Sequence, residues 1–248
     1  MAKRFVRHTD RHCASSGLVA VAILFAALCG STRADEPYAR SRDYDLQHIR
    51  THLWFDVDQR QVRGEVNENV VVLRERISAL RFDSVGLDIK SVTLDGKDAR
   101  FAVTPTDLDV TLEHPAMPGE RHEVLIRYQG QPKKGLYFIL PDKNYPQQPK
   151  EIWTQGEAED TRNYIPLYDY PNDRTTSEMI LTVPGDWLTV SNGKLVSVQD
   201  AADGQKTWTW RQSLPVSTYL ISFVAGEYKE KKENDNKIDS VLMALSPI

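Results

Sequence analysis

From about residue 46 onward, apolar and polar residues alternate with a period of two, as in strands that bury one face. In the segment His48–Asp56 the residues that share the apolar face are Ile49, Thr51, Leu53 and Phe55. The opposite face is polar and aromatic, so this segment predicts a half-buried strand.

Similar short segments follow, separated by turn residues. Asp95-Gly96 is typical of a hairpin, Pro118-Gly119 of a tight turn, and Gly64 predicts a bend before the next strand. We predict further strands at residues 66–73, 80–82, 89–94, 99–103, 108–112, 124–128, 136–139, 179–183, 189–192, 195–199, 207–212, 219–225 and 241–245.

Two stretches, 141–152 and 227–239, are predicted to be irregular, and the one helical candidate is a short turn over residues 157–163. Many short strands at this spacing predict an all-β fold, either a sandwich or an open, saddle-shaped set of antiparallel sheets. No change in composition divides the strands, so a single domain is expected over residues 35–248.

The first 34 residues resemble a signal peptide. Four basic residues precede an apolar run, Leu18–Leu28, which is too short to span a bilayer. Small residues before Ala34 predict cleavage after that position, and the alternative is an uncleaved membrane anchor. Both cysteines, Cys13 and Cys29, lie in this leader, so the mature chain would contain no disulfide and no cysteine metal ligand. We expect a periplasmic or secreted protein with no membrane span after cleavage.

The charge balance argues against nucleic acid as a partner. The leader contains five basic residues and one acidic residue, so its removal changes the formal net charge from −4 to −8. An acidic chain without a basic stripe does not attract a polyanion.

Motifs for independent catalysis are absent from the sequence. His48 and His52 have the spacing of two zinc ligands on a helix, but in a strand they would lie about 13 Å apart, too far to share an ion. The sequence contains no His-Glu-x-x-His and no Gly-x-Ser-x-Gly. We therefore predict no metal site and no catalytic residue in this chain.

One segment concentrates polar chemistry. Gln155, Glu157, Glu159 and Asp160 place an amide and three carboxylates just before Arg162. If extended, Gln155 and Glu157 would point to the same side about 6–7 Å apart, where a carboxylate could bind a ligand's ammonium group. The alternative is an acidic, solvated loop with Arg162 as its local partner.

Residues 154–178 resemble the aminopeptidase N and leukotriene-hydrolase family of zinc peptidases. The matching positions are Thr154-Gln-Gly-Glu-Ala-Glu159, Arg162, Pro166-x-Tyr-Asp-x-Pro-Asn-Asp-Arg174 and Thr176-Ser-Glu178, with flanking similarity over residues 44–248. The resemblance implies the family's amino-terminal, saddle-shaped antiparallel β-sandwich domain.

The resemblance also implies roles for individual residues. Glu157 matches the glutamate that binds the free α-amine of a peptide, and Gln155 matches the glutamine that lines the pocket for the first side chain. The bond after this glutamate tends to be cis in the family. Arg162, Asp169 and Pro171 also match, and we interpret them as structural.

The family's zinc ligands belong to a catalytic domain that would follow this one, so zinc is expected in the full-length family and no cofactor in this chain.

Three hypotheses for the function follow. The first is that this chain is the amino-terminal domain of a secreted zinc aminopeptidase, truncated before its catalytic domain and inactive alone. It would bind peptide amino termini through Glu157 once that domain is supplied. The second is a free-standing, non-catalytic β module that binds peptide amino termini or a partner protein. A third, a carbohydrate-binding sandwich that uses Trp153, Trp187, Trp208 and Trp210, is disfavoured because alternating tryptophans are more typical of a sheet face.

Overall fold

The computed structural model describes residues 39–235 and 238–245, and within them the only helical segments are three single 3₁₀ turns. The predicted leader lies outside the described residues. The strands are β1 (Tyr44–Asp56), β2 (Gln61–Val72), β3 (Ile77–Asp83), β4 (Leu87–Leu94), β5 (Lys97–Asp98), β6 (Phe101–Val103), β7 (Asp107–Ala116), β8 (Arg121–Gly130), β9 (Leu136–Ile139), β10 (Glu151–Thr154), β11 (Thr175–Pro184), β12 (Leu188–Ser191), β13 (Lys194–Asp200), β14 (Gln205–Val216), β15 (Phe223–Gly226), β16 (Tyr228–Asp235) and β17 (Ile238–Leu245). The 3₁₀ turns are Thr161–Asn163, Ala202–Gly204 and Thr218–Leu220.

The strands form four sheets. The large sheet has eight strands in the order β13-β14-β11-β1-β2-β8-β4-β5, and the small sheet has four in the order β12-β15-β10-β9. A three-stranded sheet, β3-β7-β6, and a hairpin, β16-β17, complete the fold. The predicted all-β sandwich is confirmed.

One pairing departs from the antiparallel prediction. Strand β1 pairs in parallel with β11, with Ile49 opposite Ser177 and Leu53 opposite Leu181. All other strand pairs in the large sheet are antiparallel. The parallel pair is possible because more than a hundred residues, including the small sheet's β9 and β10, separate its two strands in the chain.

A single hydrophobic core connects the large, small and three-stranded sheets. The apolar face predicted for β1 is buried, with Ile49 and Leu53 at 0% exposure, and it packs with residues of the small and three-stranded sheets such as Ile152 and Phe82. Trp208 and Trp210 pack against this core from β14, which confirms that they are sheet-face residues. The amphipathic alternation of the sequence therefore determines which side of the large sheet is covered.

Both predicted turns are confirmed. Asp95 and Gly96 have φ of 52° and 78° and connect β4 to β5, the geometry of a two-residue hairpin turn. Gly119 has φ of 90°, and the Glu120 amide donates to the Met117 carbonyl across the turn between β7 and β8.

The bend predicted at Gly64 is wrong. Strand β2 continues through Gly64, which pairs with Leu53 on one side and Tyr128 on the other without a register shift at that point. A Cβ at this position would clash with the ring of Tyr128, whose hydroxyl donates to the Tyr164 carbonyl oxygen at 2.7 Å. The glycine makes room for a buried tyrosine instead of bending the chain.

Two segments predicted to be irregular contain strands. Residues 151–154 form β10, which lies between β9 and β15, and residues 228–235 form β16, which pairs with β17. The prediction failed at β10 because the strand has only four residues and follows a stretch rich in proline. It failed at β16 because that strand is highly charged, and strand patterns are recognised by apolar alternation. No helix long and apolar enough to cross a membrane is found among the described residues.

Glu68 occupies a core-facing position of β2. Its side chain is fully buried, and neither carboxyl oxygen has a hydrogen-bond partner among the described residues. It lies opposite Ile49 on β1 and Val124 on β8. Burial raises the pKa of Glu68 well above its usual value, with further upward effects from Asp83 and Asp173. The fold therefore favours the neutral form of this carboxyl group.

Glu68 makes stability depend on pH. The tyrosines Tyr44 and Tyr128 and the carboxylates Asp83 and Asp173 are the titratable groups that interact with it. Because the pKa of Glu68 is higher in the folded chain than in the unfolded one, the contribution of this proton-binding group to the free energy of unfolding is fully present below about pH 4.3. The contribution is lost as the pH rises through the folded pKa.

We therefore expect Glu68→Leu to raise the free energy of unfolding by about 1–3 kcal/mol at pH 7 and by less at pH 4, because it removes an unpartnered buried carboxyl. Urea unfolding at both pH values measures this. Glu68→Gln is the matched control, since it keeps a buried polar group but cannot ionise. An unchanged pH dependence in both variants would refute the assignment.

Candidate functional site

The polar segment identified in the sequence connects the small sheet to the large one. It leaves β10 at Thr154, forms a turn over residues 157–160, continues into the 3₁₀ turn Thr161–Asn163 and enters β11 at Thr175. Its path crosses from one sheet to the other, so contacts with both sheets can fix its conformation.

Gln155 and Glu157 are both exposed, whereas Gly156 between them is buried. The Gln155 amide donates to the Gly135 carbonyl at 2.9 Å and so continues the β10–β9 pairing by one residue. Beyond this pairing the chain turns, because Glu157 begins a turn that closes with the Asp160 amide donating to the Gly156 carbonyl at 2.8 Å. The Glu157–Ala158 peptide bond is cis, as the family resemblance implies.

Two glycines allow the loop to pack closely. A Cβ on Gly156 would clash with the Thr161 hydroxyl and the Tyr219 carbonyl oxygen. Gly135, with φ of 76°, lies against the Asp160 carbonyl, where a Cβ would also clash. Backbone from the loop, from β9 and from the turn near Tyr219 therefore meets without side chains in between, which fixes the backbone on both sides of Glu157.

Arg162 anchors the other end of this turn. Its guanidinium donates to the Glu159 carboxylate at 2.5 Å and to the Asp169 carbonyl oxygen at 2.6 Å, and its Nε lies 3.4 Å from Asp169 Oδ2. Its backbone amide also donates to Asp169 Oδ2 at 3.0 Å. These contacts join residues 159–169 into one compact unit, as predicted for a structural role of Arg162.

Asp169 is the most deeply buried acid of this unit, with 0% exposure. Burial raises its pKa to about 6, while the Arg162 backbone amide and guanidinium and the Thr218 hydroxyl act in the opposite direction. The Thr218 hydroxyl donates to Asp169 Oδ1 at 3.2 Å. At pH 7 the carboxylate is therefore ionised and held by donors from two separate segments.

Asp83, at the end of β3, extends the cluster. Its carboxylate accepts from Arg40 at 2.8 Å and from the Asp169 amide at 2.8 Å, and Arg162 Nη1 lies 3.5 Å from it. Its backbone pairs with Leu167 in both directions. We call Asp83, Arg162 and Asp169 the buried ion cluster, and Glu159 is a partly exposed partner of Arg162 at its edge.

A family profile described as the Peptidase M1 N-terminal domain matches residues 41–220. The chain belongs to this family. The match covers the large sheet, three of the four strands of the small sheet and the complete loop with Gln155 and Glu157. The resemblance stated from the sequence is therefore confirmed.

Related proteins agree with this assignment of the M1 domain. Leukotriene A-4 hydrolase from Xenopus laevis is 25% identical over 206 residues, which cover 79% of this chain and 34% of that protein. Probable aminopeptidase 1 from Saccharolobus solfataricus is 26% identical over 181 residues, which cover 71% of this chain and 22% of that protein. Among solved structures, a mutant M1 zinc metallopeptidase from Deinococcus radiodurans bound to a Tyr-Ser-Ala substrate matches with a TM-score of 0.68 at 25% identity. The match covers 82% of this chain and 46% of that chain. The chain thus spans about a third or less of these two relatives and just under half of that solved chain.

Three of the four histidines described in this M1 domain, His48, His52 and His122, have polar contacts with nearby side chains. His48 Nδ1 lies 2.7 Å from the Thr176 hydroxyl, and His52 Nε2 lies 2.9 Å from the Thr182 hydroxyl. His122 Nδ1 lies 2.8 Å from Asp95. No group of three metal-ligating side chains occurs in the part of the chain that the structure describes.

Sequence reasoning missed several residues that hold the site. Asp83, Gly135 and Thr218 fall within the flanking similarity over residues 44–248, and the sequence assigned none of them a role. Arg40 precedes the first strand and gave no pattern. Their positions depend on contacts between residues far apart in the chain, such as the 86-residue separation of Asp83 and Asp169. The signal that could have found Gly135 is a glycine directly before a strand, which often marks positive φ.

We expect Arg162→Met to lower the free energy of unfolding by about 3–5 kcal/mol at pH 7, because it leaves the buried Asp169 carboxylate without a cation, whereas Asp83 keeps Arg40. The loss should be smaller at pH 5, where Asp169 takes up a proton. Chemical denaturation at both pH values measures this difference.

Arg81→Met is the matched control, since Arg81 pairs with Asp109 at 2.7 Å but its side chain is 57% exposed. An exposed pair of this kind contributes less than about 1 kcal/mol. Equal losses in the two variants would show that the buried ion cluster has no special role.

Proposed function

We propose that this M1 N-terminal domain binds the amino terminus of a peptide and forms one wall of a zinc aminopeptidase active site. In this proposal Glu157 accepts the peptide's α-ammonium, and Gln155 lines the pocket for the first side chain. The observation that supports it most strongly is the exposed Gln155–Glu157 pair on a backbone fixed by buried contacts on both sides.

The chemistry of the pair suits a free amino terminus. An ammonium donates to a carboxylate through charge-assisted hydrogen bonds, which are about twice as strong as neutral ones. A peptide bond within a chain has no such charge, so a carboxylate at this place favours the removal of terminal residues over internal cleavage. The Deinococcus radiodurans relative was solved with the substrate Tyr-Ser-Ala.

The outer face of the small sheet supports contact with a further domain. Its central row consists of Tyr137, Trp153, Val224 and Val190, which lie side by side on β9, β10, β15 and β12. The Tyr137 and Trp153 rings stack with centroids 4.5 Å apart, and Val190 is 37% exposed. Gln155 follows Trp153 by two residues, so this apolar row reaches the edge of the proposed site.

An apolar face beside the anchoring residues favours the enzyme hypothesis over a free-standing module, since a module working alone is expected to have a polar surface there. In the proposed enzyme, zinc and its ligands come from a catalytic domain that packs near this row. When bound, zinc would supply an activated water for peptide hydrolysis. In this proposal the residues of this chain orient the peptide and take no part in the hydrolysis itself. Export through the predicted leader is also part of the proposal.

Titration of the chain with Tyr-Ser-Ala, followed by NMR of the backbone amides, tests whether Gln155 and Glu157 bind the peptide's amino terminus. We expect the amide resonances of Gln155, Gly156 and Ala158 to shift with the free-amine peptide but not with its N-acetylated form. Affinity should be weak, about millimolar, because only one wall is present.

Glu157→Gln should weaken this binding at least about fivefold, since it removes the charge that pairs with the ammonium. Glu75→Gln is the matched control, because Glu75 is an exposed acid outside the segment that carries the proposed site. Equal shifts with the acetylated peptide would contradict the proposal.

We also predict that the purified chain releases no amino-terminal residue from aminoacyl anilides, with or without added zinc, because its sequence has no His-Glu-x-x-His motif. Release of the anilide dye measures this directly. Turnover that persists through purification and is lost in Glu157→Gln would show that the chain is an enzyme by itself.

A further inference from the structure

The third 3₁₀ turn, which begins at Thr218, lies against the loop that carries the proposed site. The Thr218 hydroxyl donates to Asp169 Oδ1 at 3.2 Å, and the Thr218 carbonyl oxygen accepts from the Thr161 hydroxyl at 3.4 Å. Just after the turn, the Ile221 carbonyl oxygen accepts from the Tyr164 hydroxyl at 2.9 Å. The turn is therefore tied to the loop at both of its ends.

Tyr219, in the middle of this turn, contacts the residue between the two proposed anchoring residues. A Cβ added to Gly156 would lie 2.6 Å from the Tyr219 carbonyl oxygen and 3.0 Å from its Cα. The side chain of Tyr219 therefore starts from a Cα that packs against the backbone between Gln155 and Glu157.

The hydrophobic core does not use the side chain of Tyr219. This residue is partly buried, but it is not one of the apolar residues packed against the core. Its hydroxyl forms no hydrogen bond with another described residue, whereas the hydroxyls of the buried Tyr128 and Tyr164 both donate to backbone carbonyl oxygens. The next residue, Leu220, is 47% exposed. An aromatic ring and an aliphatic side chain are therefore left at the surface beside the proposed site.

The groups around this surface favour one class of ligand side chain. The Glu159 and Asp160 carboxylates already accept from Arg162 and Asn163, so a basic side chain would have to compete for them. An acidic side chain would be repelled by the same carboxylates. A large apolar or aromatic side chain would remove apolar surface from water by packing on the Tyr219 ring.

We propose that Tyr219, with Leu220 beside it, forms a second wall of the pocket for the first side chain and makes this pocket selective for large apolar and aromatic residues. The inference rests on the proposed function, because it takes Gln155 and Glu157 as the anchor of the peptide's amino terminus. It adds a specificity-determining residue from a different segment of the chain.

The affinities of two free-amine peptides, measured by NMR titration of the backbone amides, test this inference. Tyr-Ser-Ala and Gly-Ser-Ala share a free amino terminus, but only the first has a side chain at its first residue. The intact chain should bind Tyr-Ser-Ala at least about threefold more tightly, because contact with the ring buries apolar surface. Tyr219→Ala should abolish this difference by weakening the binding of Tyr-Ser-Ala alone. Tyr219→Phe keeps the ring and should preserve the difference.

Tyr145→Ala is the matched control. Tyr145 is 68% exposed and lies between Ile139 and Glu151, at the opposite end of β9 and β10 from Gln155. Its truncation should change neither affinity. Tyr219 packs on Gly156 through its backbone, so Tyr219→Ala should keep the β structure, which circular dichroism verifies.

The outcomes separate this inference from the function on which it rests. If binding requires the free amine and Glu157, but the intact chain binds both peptides equally or Tyr219→Ala keeps the difference, the role of Tyr219 is overturned and the proposed function stands. If the intact chain binds neither free-amine peptide, the proposed function is overturned and this inference with it.

Discussion

The buried ion cluster is the constraint on which the arrangement of the site depends. Asp169 is completely buried, yet it is ionised near neutral pH because Arg162 and Thr218 donate to it from different segments. A buried charge without these donors would cost several kcal/mol, so the segments that supply them are held together in the folded state. Asp83 extends this requirement to the end of β3 through the Asp169 amide.

The exposed site follows from this buried arrangement. Arg162 fixes the end of the turn that begins at Glu157, and the close packing of Gly156 fixes its start. Glu157 is thus exposed on a backbone that is restrained on both sides, which reduces the conformational entropy that a ligand must remove on binding. The partly buried Arg162 and Arg40 pair with the buried acids Asp169 and Asp83, whereas the carboxylate proposed to bind the ligand remains on the surface.

The sequence predicted the fold class and most strands because one face of each is buried, which imposes a period of two. It also predicted a structural role for Arg162 and Asp169, through a family resemblance rather than through any local pattern. It could not predict the parallel pairing of β1 with β11, because the alternation of each strand is the same for either direction of its neighbour. Strand β10 has too few residues to show alternation.

The remaining features depend on contacts between distant residues. Local propensity indicated a bend at Gly64. The residue is instead part of a strand, where the absence of a side chain makes room for the ring of Tyr128. Alternation places Glu68 on the core face, but its raised pKa depends on how the folded chain buries it without hydrogen-bond donors. Asp83 joins the buried ion cluster through a residue 86 positions away. Such pairs become visible only when the chain is folded.

Native-state hydrogen exchange of the Arg162 and Asp169 amides tests most directly whether the buried ion cluster holds the loop in its conformation. Each amide donates to a buried carboxylate, at 3.0 Å and 2.8 Å respectively. We expect both amides to exchange only through global unfolding, at rates that match those of core amides in β1. Exchange at the rate of an exposed loop would contradict it, because the loop with Glu157 would then open independently of the core.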